Sequence, residues 1–460
     1  MRTERDSLGE LRVPEEAYYG VHTCRSQANF GWGGDRLPLE LILALVRLKW
    51  ACAQANRELG ELDAERADAI INACRQVLER RYDDQFPLGM YQAGSGTSTN
   101  MNVNEVLANR ACEMLGARRG DRERVHPNDH VNLGQSTNNI FPSAIRVATV
   151  LQTPELLRAL RALETALRNK AAEFKTVVKS GRTHLQDAVP VTLGQEFAAW
   201  ARALEKARGR LRAAGENLLE LGVGGNAVGT GINTLKAFRP AIIRALNAQT
   251  GAMFRVAEDG LEITQFLTDL AQFSSALRLV ALDAQKICND LRLLASGPNT
   301  GFNEIVLPPV EPGSSIMPGK VNPSLCEAVN MVCLQAQGLD HAVQLACGAG
   351  QLELNTHMPL VGANLLRMMG LLERALPALA EKCVLGITAR RDICAAHFER
   401  SAGLATVLNP RLGYDRVAAL VKESLRTGKS LRELVLKKRL LKAAEWEALL
   451  RGSTRPRDGA

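Results

Sequence analysis

Eleven consecutive residues, Gly313-Ser314-Ser315-Ile316-Met317-Pro318-Gly319-Lys320-Val321-Asn322-Pro323, gather two hydroxyls, an ammonium and a carboxamide between glycines and prolines. Glycine permits turns that a side chain would block and proline stiffens the flanks, so the run reads as an active-site loop. Its groups suit a carboxylate. Lys320 brings charge, Asn322 and Ser315 bring directional donors, and Ser314 is a hydroxyl able to act as a base where loop closure and nearby cations lower its pKa.

Three further segments are dense in small polar residues: Gly94-Ser95-Gly96-Thr97-Ser98-Thr99-Asn100-Met101-Asn102, His126 to Asn132 running into Gln135-Ser136-Thr137-Asn138-Asn139, and Gly181-Arg182-Thr183-His184-Leu185-Gln186-Asp187. Each alone fits the caps and turns of a helical protein. Together with the Ser314 loop they describe a site that holds carboxylates through many neutral hydrogen bonds and one lysine. The chain shows no nucleophile triad, phosphate-cradling loop or metal-ligand spacing. His184 follows Arg182-Thr183 in what reads as a loop before a helix, where it can contact substrate. His126 and His130 have an H-x-x-x-H spacing, but Pro127 prevents one continuous helix from showing both rings on a face, and no metal or cofactor is expected.

Long helices must carry these loops. From Leu261 to Leu294, Ile263, Phe266, Leu270, Phe273, Leu277, Val280, Ala284, Ile287, Leu291 and Leu294 alternate spacings of three and four, which predicts one very long helix with a coiled-coil-like seam. The same spacing recurs from Phe197 to Leu218, and from Leu156 to Phe174 behind an expected Thr153 cap with Pro154 at the first helical position. Helical patterns at Pro323 to Cys347 and Pro359 to Leu385 bring the count to about five. The expected fold is therefore mainly all-α, an elongated central bundle over 137–385, with a mixed N-terminal domain over 1–136 and a small helical C-terminal domain over 386–460. The N-terminal domain should hold helices near Pro38 to Leu59 and Asp63 to Arg81, and the polar tail from Ser453 is expected to lack order.

Composition closes off other classes. With 46% apolar residues in 460 the chain can bury a large core. No apolar run approaches the roughly 18 residues of a membrane span, and Met1 to Glu10 is charged where a secretory leader is apolar, so a cytoplasmic protein is expected. The net charge of +8 is diluted by interleaved acids, and 4% aromatics leaves few rings for base stacking, which argues against nucleic acid. The ten cysteines are scattered without C-x-x-C pairs and read as small reduced core residues.

At this level of detail the chain resembles the aspartase/fumarase superfamily over nearly its whole length. The resemblance rests on Gly313 to Pro323, on Gly94 to Asn109, on His126 to Asn138 and on Gly181 to Glu196. It implies a homotetramer whose helices share a core and whose active sites each draw on three subunits, and the reversible elimination of a small dicarboxylate to fumarate. It also implies that Ser314 is the general base, that Lys320 and Asn322 hold a substrate carboxylate, and that Thr97, Ser136, Thr137, Asn138, Thr183, His184 and Ser315 complete the binding shell, with His184 in a catalytic position. Ala17 to Thr23, Phe302 to Ile305, Ala349 to Asn355, Glu381 to Cys383 and Thr427 to Ser430 are similar to aspartate ammonia-lyases, whereas Cys326-Glu327-Ala328 is similar to class II fumarases. The resemblance thus implies aspartate as substrate, with malate the alternative and a silent structural homologue a third reading. Three positions depart from the family pattern: Asn139 stands at a usual Asp, Asn226 at a usual Thr and Asn299 at a usual Arg.

Overall fold

The structure, a computed structural model, describes residues 1–313 and 316–454. A β-hairpin of β1 (Arg2–Asp6) and β2 (Gly9–Val13) opens the chain, followed by α1 (Val21–Phe30), α2 (Leu39–Glu58), α3 (Ala64–Leu78) and α4 (Thr97–Met114). Pro38 precedes α2 and Asp63 caps α3 by accepting from the Arg66 N–H, which is how both helices start where the sequence places them. A π-helical turn, Pro127–Val131, leads into α5 (Thr137–Glu173).

The antiparallel pair β3 (Val178–Thr183) and β4 (Gln186–Thr192) then precedes α6 (Leu193–Glu216). After β5 (Glu220–Leu221) come α7 (Phe238–Thr250), β6 (Arg255–Val256), which pairs parallel to β5, α8 (Gly260–Gln265) and α9 (Thr268–Leu294). The chain continues through β7 (Ile305–Val306), α10 (Ser324–Cys347) and α11 (Met358–Lys382) to β8 (Thr388–Ala389), the antiparallel partner of β7. It ends in α12 (Arg391–Arg400), α13 (Leu404–Leu412), α14 (Tyr414–Thr427), α15 (Leu431–Lys437) and α16 (Ala443–Gly452).

The mainly helical expectation holds, and the five long helical patterns expected from Leu156 to Leu385 fall on α5, α6, α9, α10 and α11. Two details are corrected. The heptad from Leu261 is interrupted, because Phe266 adopts an extended backbone between α8 and α9. Pro154 lies inside α5 rather than at a start, and Thr153 donates its hydroxyl back to the Thr149 carbonyl (2.7 Å) instead of capping. The remaining tail, 455–460, lies outside the described residues, as do Ser314 and Ser315.

Two compact units emerge, interleaved in sequence. The first comprises Met1–Leu157, Gly209–Ala281 and Leu334–Glu373; the second comprises Arg158–Arg208, Leu282–Cys333 and the chain from Arg374. In the first, α2 packs on α3 and α7, and α4 packs on α1, α3 and the π-helical turn. Leu41, Leu45, Leu48 and Cys52 on α2 are fully buried, each large one contributing about 1.5–3 kcal/mol. In the second, Phe398, Leu404, Leu408, Leu420, Leu434 and Trp446 build a core for the C-terminal helices. Gly428, in the left-handed region, ends α14, and Ser430 opens α15 with a capping box to Glu433.

Candidate active site

In the first unit the polar runs converge. The chain enters α4 through the tight turn Gly94–Gly96, where a side chain on Gly96 would strike the Phe141 ring (2.4 Å) and where its φ of +90° already favours glycine. Thr97 therefore opens α4, half-buried, with Asn100 one turn on. Asn100 is buried and its Nδ2 donates to Thr137 Oγ1 (3.1 Å) and Asn132 Oδ1 (3.2 Å). Asn132 Oδ1 also receives Asn104 Nδ2 (3.2 Å) and Lys49 Nζ (2.7 Å), and the same ammonium donates to Gln135 Oε1 (2.8 Å). Gln135 returns its amide to the Val131 and Leu133 carbonyls, which pins the turn that delivers Ser136 to α5.

Ser136, Thr137 and Asn138 form the N-terminus of this 37-residue helix. Ser136 Oγ accepts from the Asn138 N–H (3.3 Å), and Asn138 Nδ2 is tethered to the Ala227 carbonyl (2.8 Å). The positive end of the helix dipole makes such a terminus attractive to an anion. Thr137 Oγ1 already accepts from Asn100, so its own hydrogen is what it can offer a ligand.

The histidines nearby serve the backbone. His126 Nδ1 accepts from the Asn128 and Asp129 N–H groups (3.1 Å each), and His130 Nδ1 accepts from the His126 N–H (2.8 Å). Burial lowers the pKa of both rings, in keeping with a neutral imidazole at each acceptor nitrogen. Among the described residues no group of His, Cys, Asp and Glu side chains converges as metal ligands.

In the second unit Thr183 and His184 sit on a β-hairpin, not on the loop before a helix that the sequence suggested; α6 begins only at Leu193. His184 and Leu185 are the two turn residues, both left-handed (φ 56° and 59°), the conformation a two-residue hairpin demands and one that costs free energy without glycine. Such strain persists because the strands are anchored beneath it. Glu304 accepts Arg182 (2.8 Å) and approaches His397 Nδ1 (3.1 Å), and Lys179 lies 2.7 Å from its other oxygen, in an ion pair whose angle is not that of a hydrogen bond. Lys179 also donates to both oxygens of Glu196 (3.0 Å each), and the Arg182 guanidinium stacks on Phe302. Burial pushes the Glu304 carboxyl up, but Arg182, Lys179 and His397 together hold it below the usual range.

Lys320 and Asn322 are also in this unit, both exposed. The Lys320 N–H bonds the Met317 carbonyl (3.1 Å), Gly319 turns in the left-handed region, and Gly313 passes so close to the Lys320 carbonyl that a Cβ would lie 1.6 Å from it. The loop thus closes on itself at Gly313, as a glycine-punctuated run allows. Ser314 and Ser315 lie outside the described residues. The structure therefore gathers Thr97, Ser136, Thr137 and Asn138 in one unit, and leaves Thr183, His184, Lys320 and Asn322 exposed on two elements of the other.

The departures divide. Asn139 is buried and donates to Thr264 Oγ1 (2.6 Å), so it faces the core. Asn226 adopts φ 56°, which asparagine tolerates better than threonine, and its amide meets the Ile232 carbonyl. Asn299 is exposed. Lys49 was missed from the sequence. Its signal is a charge on the buried stripe of α2, between Leu45 and Cys52, where the helical period calls for an apolar side chain.

Residues 9–338 match a lyase family model, and 404–453 match a fumarase C C-terminus model. The chain is 47% identical to the class II fumarate hydratase of Thermosynechococcus vestitus, over 98% of this chain and 97% of that relative. It is 45% identical to the aspartate ammonia-lyase of Corynebacterium glutamicum, over 98% of this chain and 86% of that one. A crystal structure of a fumarate lyase:delta crystallin from Brucella melitensis, bound to cobalt, aligns with a TM-score of 0.96 at 43% identity, covering 99% of this chain and 100% of that one.

Proposed function

Since the chain belongs to the aspartase/fumarase family of lyases, we propose that it eliminates ammonia from L-aspartate to give fumarate. In that reaction a base removes a proton from Cβ, the electron pair forms the carbon–carbon double bond, and ammonia leaves from Cα with the C–N pair. The proton is barely acidic, so the developing charge on the adjacent carboxylate needs a dense set of donors with water excluded. The observation that carries the reading is the Asn100-to-Thr137 hydrogen bond: it fixes Thr137 Oγ1 at a helix N-terminus, beside Ser136 and Asn138, and leaves the hydroxyl hydrogen for a ligand.

On this reading Ser314 is the base, Lys320 and Asn322 grip a substrate carboxylate with Ser315, and Thr97, Thr183 and His184 complete the cage. A site shared between subunits accounts for Thr183, His184, Lys320 and Asn322 standing exposed. The same assembly, a homotetramer, would cover Leu282 and Leu293 on α9 and Met331, Leu334 and Leu345 on α10, which are also exposed. Among the described residues no helix is long and apolar enough to cross a membrane.

Cys326-Glu327-Ala328 and the identity to a class II fumarate hydratase support a second reading, in which water leaves from L-malate. Mixing the purified protein with L-aspartate and, separately, L-malate and following the ultraviolet absorbance of fumarate decides between them. Turnover of malate alone overturns the aspartate assignment, and light scattering that finds a stable monomer overturns the tetramer.

A further inference from the structure

Lys49 is fully buried, and among the described residues no carboxylate pairs with it. A buried ammonium is expensive unless something compensates it. Among the described residues two carboxamide oxygens do, those of Asn132 and Gln135, and the former also takes the amides of Asn100 and Asn104. From Lys49 an unbroken line of side-chain bonds runs through Asn132 and Asn100 to the hydroxyl of Thr137. We infer that Lys49 is a positioning residue that orients this line and supplies a buried positive charge for which the substrate's carboxylate is the missing counter-charge. The inference rests on the reading above, that Thr137 and Asn138 hold a carboxylate.

Charge and geometry can be separated at this residue. A neutral amine keeps two N–H donors, as many as the two acceptors Lys49 serves, so both bonds survive deprotonation while the charge is lost. Burial depresses the Lys49 pKa to about 7. The ionisable groups whose charge reaches it are Cys52 on α2 and Cys74 on α3, and burial raises both thiols, Cys52 to about 12, so neither ionises first. The other polar groups meeting Lys49 or its acceptors, on α4 and at the turn before α5, are amides. Anion affinity should therefore fall as pH rises through about 7.

The test is calorimetric binding of succinate, a dicarboxylate that cannot eliminate, to the intact protein between pH 6 and 9. Wild type should weaken by about tenfold across the range. Lys49→Met should bind weakly at every pH with the slope abolished. Gln135→Glu sets a carboxylate against the ammonium, cancels its charge and should give the same flat, weak profile, which keeps the test open should Lys49→Met not fold. Either variant, folded and binding succinate with wild-type affinity and slope, overturns the role of Lys49 alone. Wild type failing to bind succinate at any pH overturns the carboxylate reading itself, and the inference with it.

Discussion

The ammonium of Lys179 stands 2.7 Å from a carboxylate oxygen of Glu304, with the side chains 1% and 0% exposed. Arg182 meets the other oxygen, so a single buried anion holds two cations of one strand, the second of them immediately before Thr183 and His184. The strained turn at His184 and Leu185 is thus held by an electrostatic clamp at its base, assisted by Glu196 on α6 and His397 on α12.

Glu304→Gln keeps the shape of this clamp and removes its charge. Lys179 is then left with Glu196 alone, and breaking a buried pair costs roughly 3–5 kcal/mol. The pH dependence has a definite sign. Because the folded pKa of Glu304 lies below the usual 4.5, its contribution is complete above that value and is lost as pH falls through the folded pKa. Thermal unfolding at pH 7 and at pH 3.5 should show a large gap between wild type and variant at the first and a smaller one at the second. An equal gap at both would remove Glu304 as the clamp's charge.

The polar runs at Gly94 to Asn102 and His126 to Asn139 were legible in the sequence because a density of Ser, Thr and Asn has no packing reason in a helical chain. The hairpin beneath His184 was not. Its turn lacks the Asn-Gly or Asp-Gly pair that announces a two-residue hairpin, and β3 buries Lys179 and Ser180, which blurs the alternation of a strand. The break at Phe266 hid for the opposite reason: the heptad spacing of Ile263, Phe266 and Leu270 runs straight across it, and the Asp259 cap opens α8 without marking the start of α9. Lys49 stayed hidden since one lysine in a helix usually reaches solvent, and only the three-dimensional convergence of Asn132 and Gln135 shows what it meets.

Lys49 should also leave a mark on stability. Its folded pKa of about 7 lies below the usual 10.5, so between these values the unfolded chain holds a proton that the folded chain has released. The sign follows: this residue's contribution improves as pH rises from 7 towards 10, by roughly 1.4 kcal/mol per pH unit. The difference in unfolding free energy between Lys49→Met and wild type, measured by denaturant titration, should shift in favour of wild type by that slope over pH 7.5 to 9.5. A pH-independent difference would mean that Lys49 keeps its proton in the fold across that range, so that burial does not depress its pKa.

Ser314 is assigned to the proton-transfer step, and a base acts in the transition state more than in the ground state. Ser314→Ala should lower kcat by roughly a hundred- to ten-thousandfold while KM stays within a few-fold. Steady-state kinetics on whichever of aspartate and malate is turned over gives both numbers. Near-normal kcat would pass the role of base to another group.

Lys320 tests the grip on substrate. The residue is exposed within the chain, so on the present reading its ammonium meets a carboxylate only in the assembled, water-excluded site. Lys320→Ala then leaves an anion unpaired there, and kcat/KM should fall by roughly a hundredfold or more. Lys320→Arg should not restore it, because a planar guanidinium fork does not fit a pocket shaped for a compact ammonium. His184→Ala should do less harm, raising KM more than it lowers kcat, as befits a residue that holds and orients. Should Lys320→Ala keep most of its activity on aspartate and malate alike, the loop does not grip a four-carbon diacid, and the chemistry assigned to Lys320 and Asn322 falls.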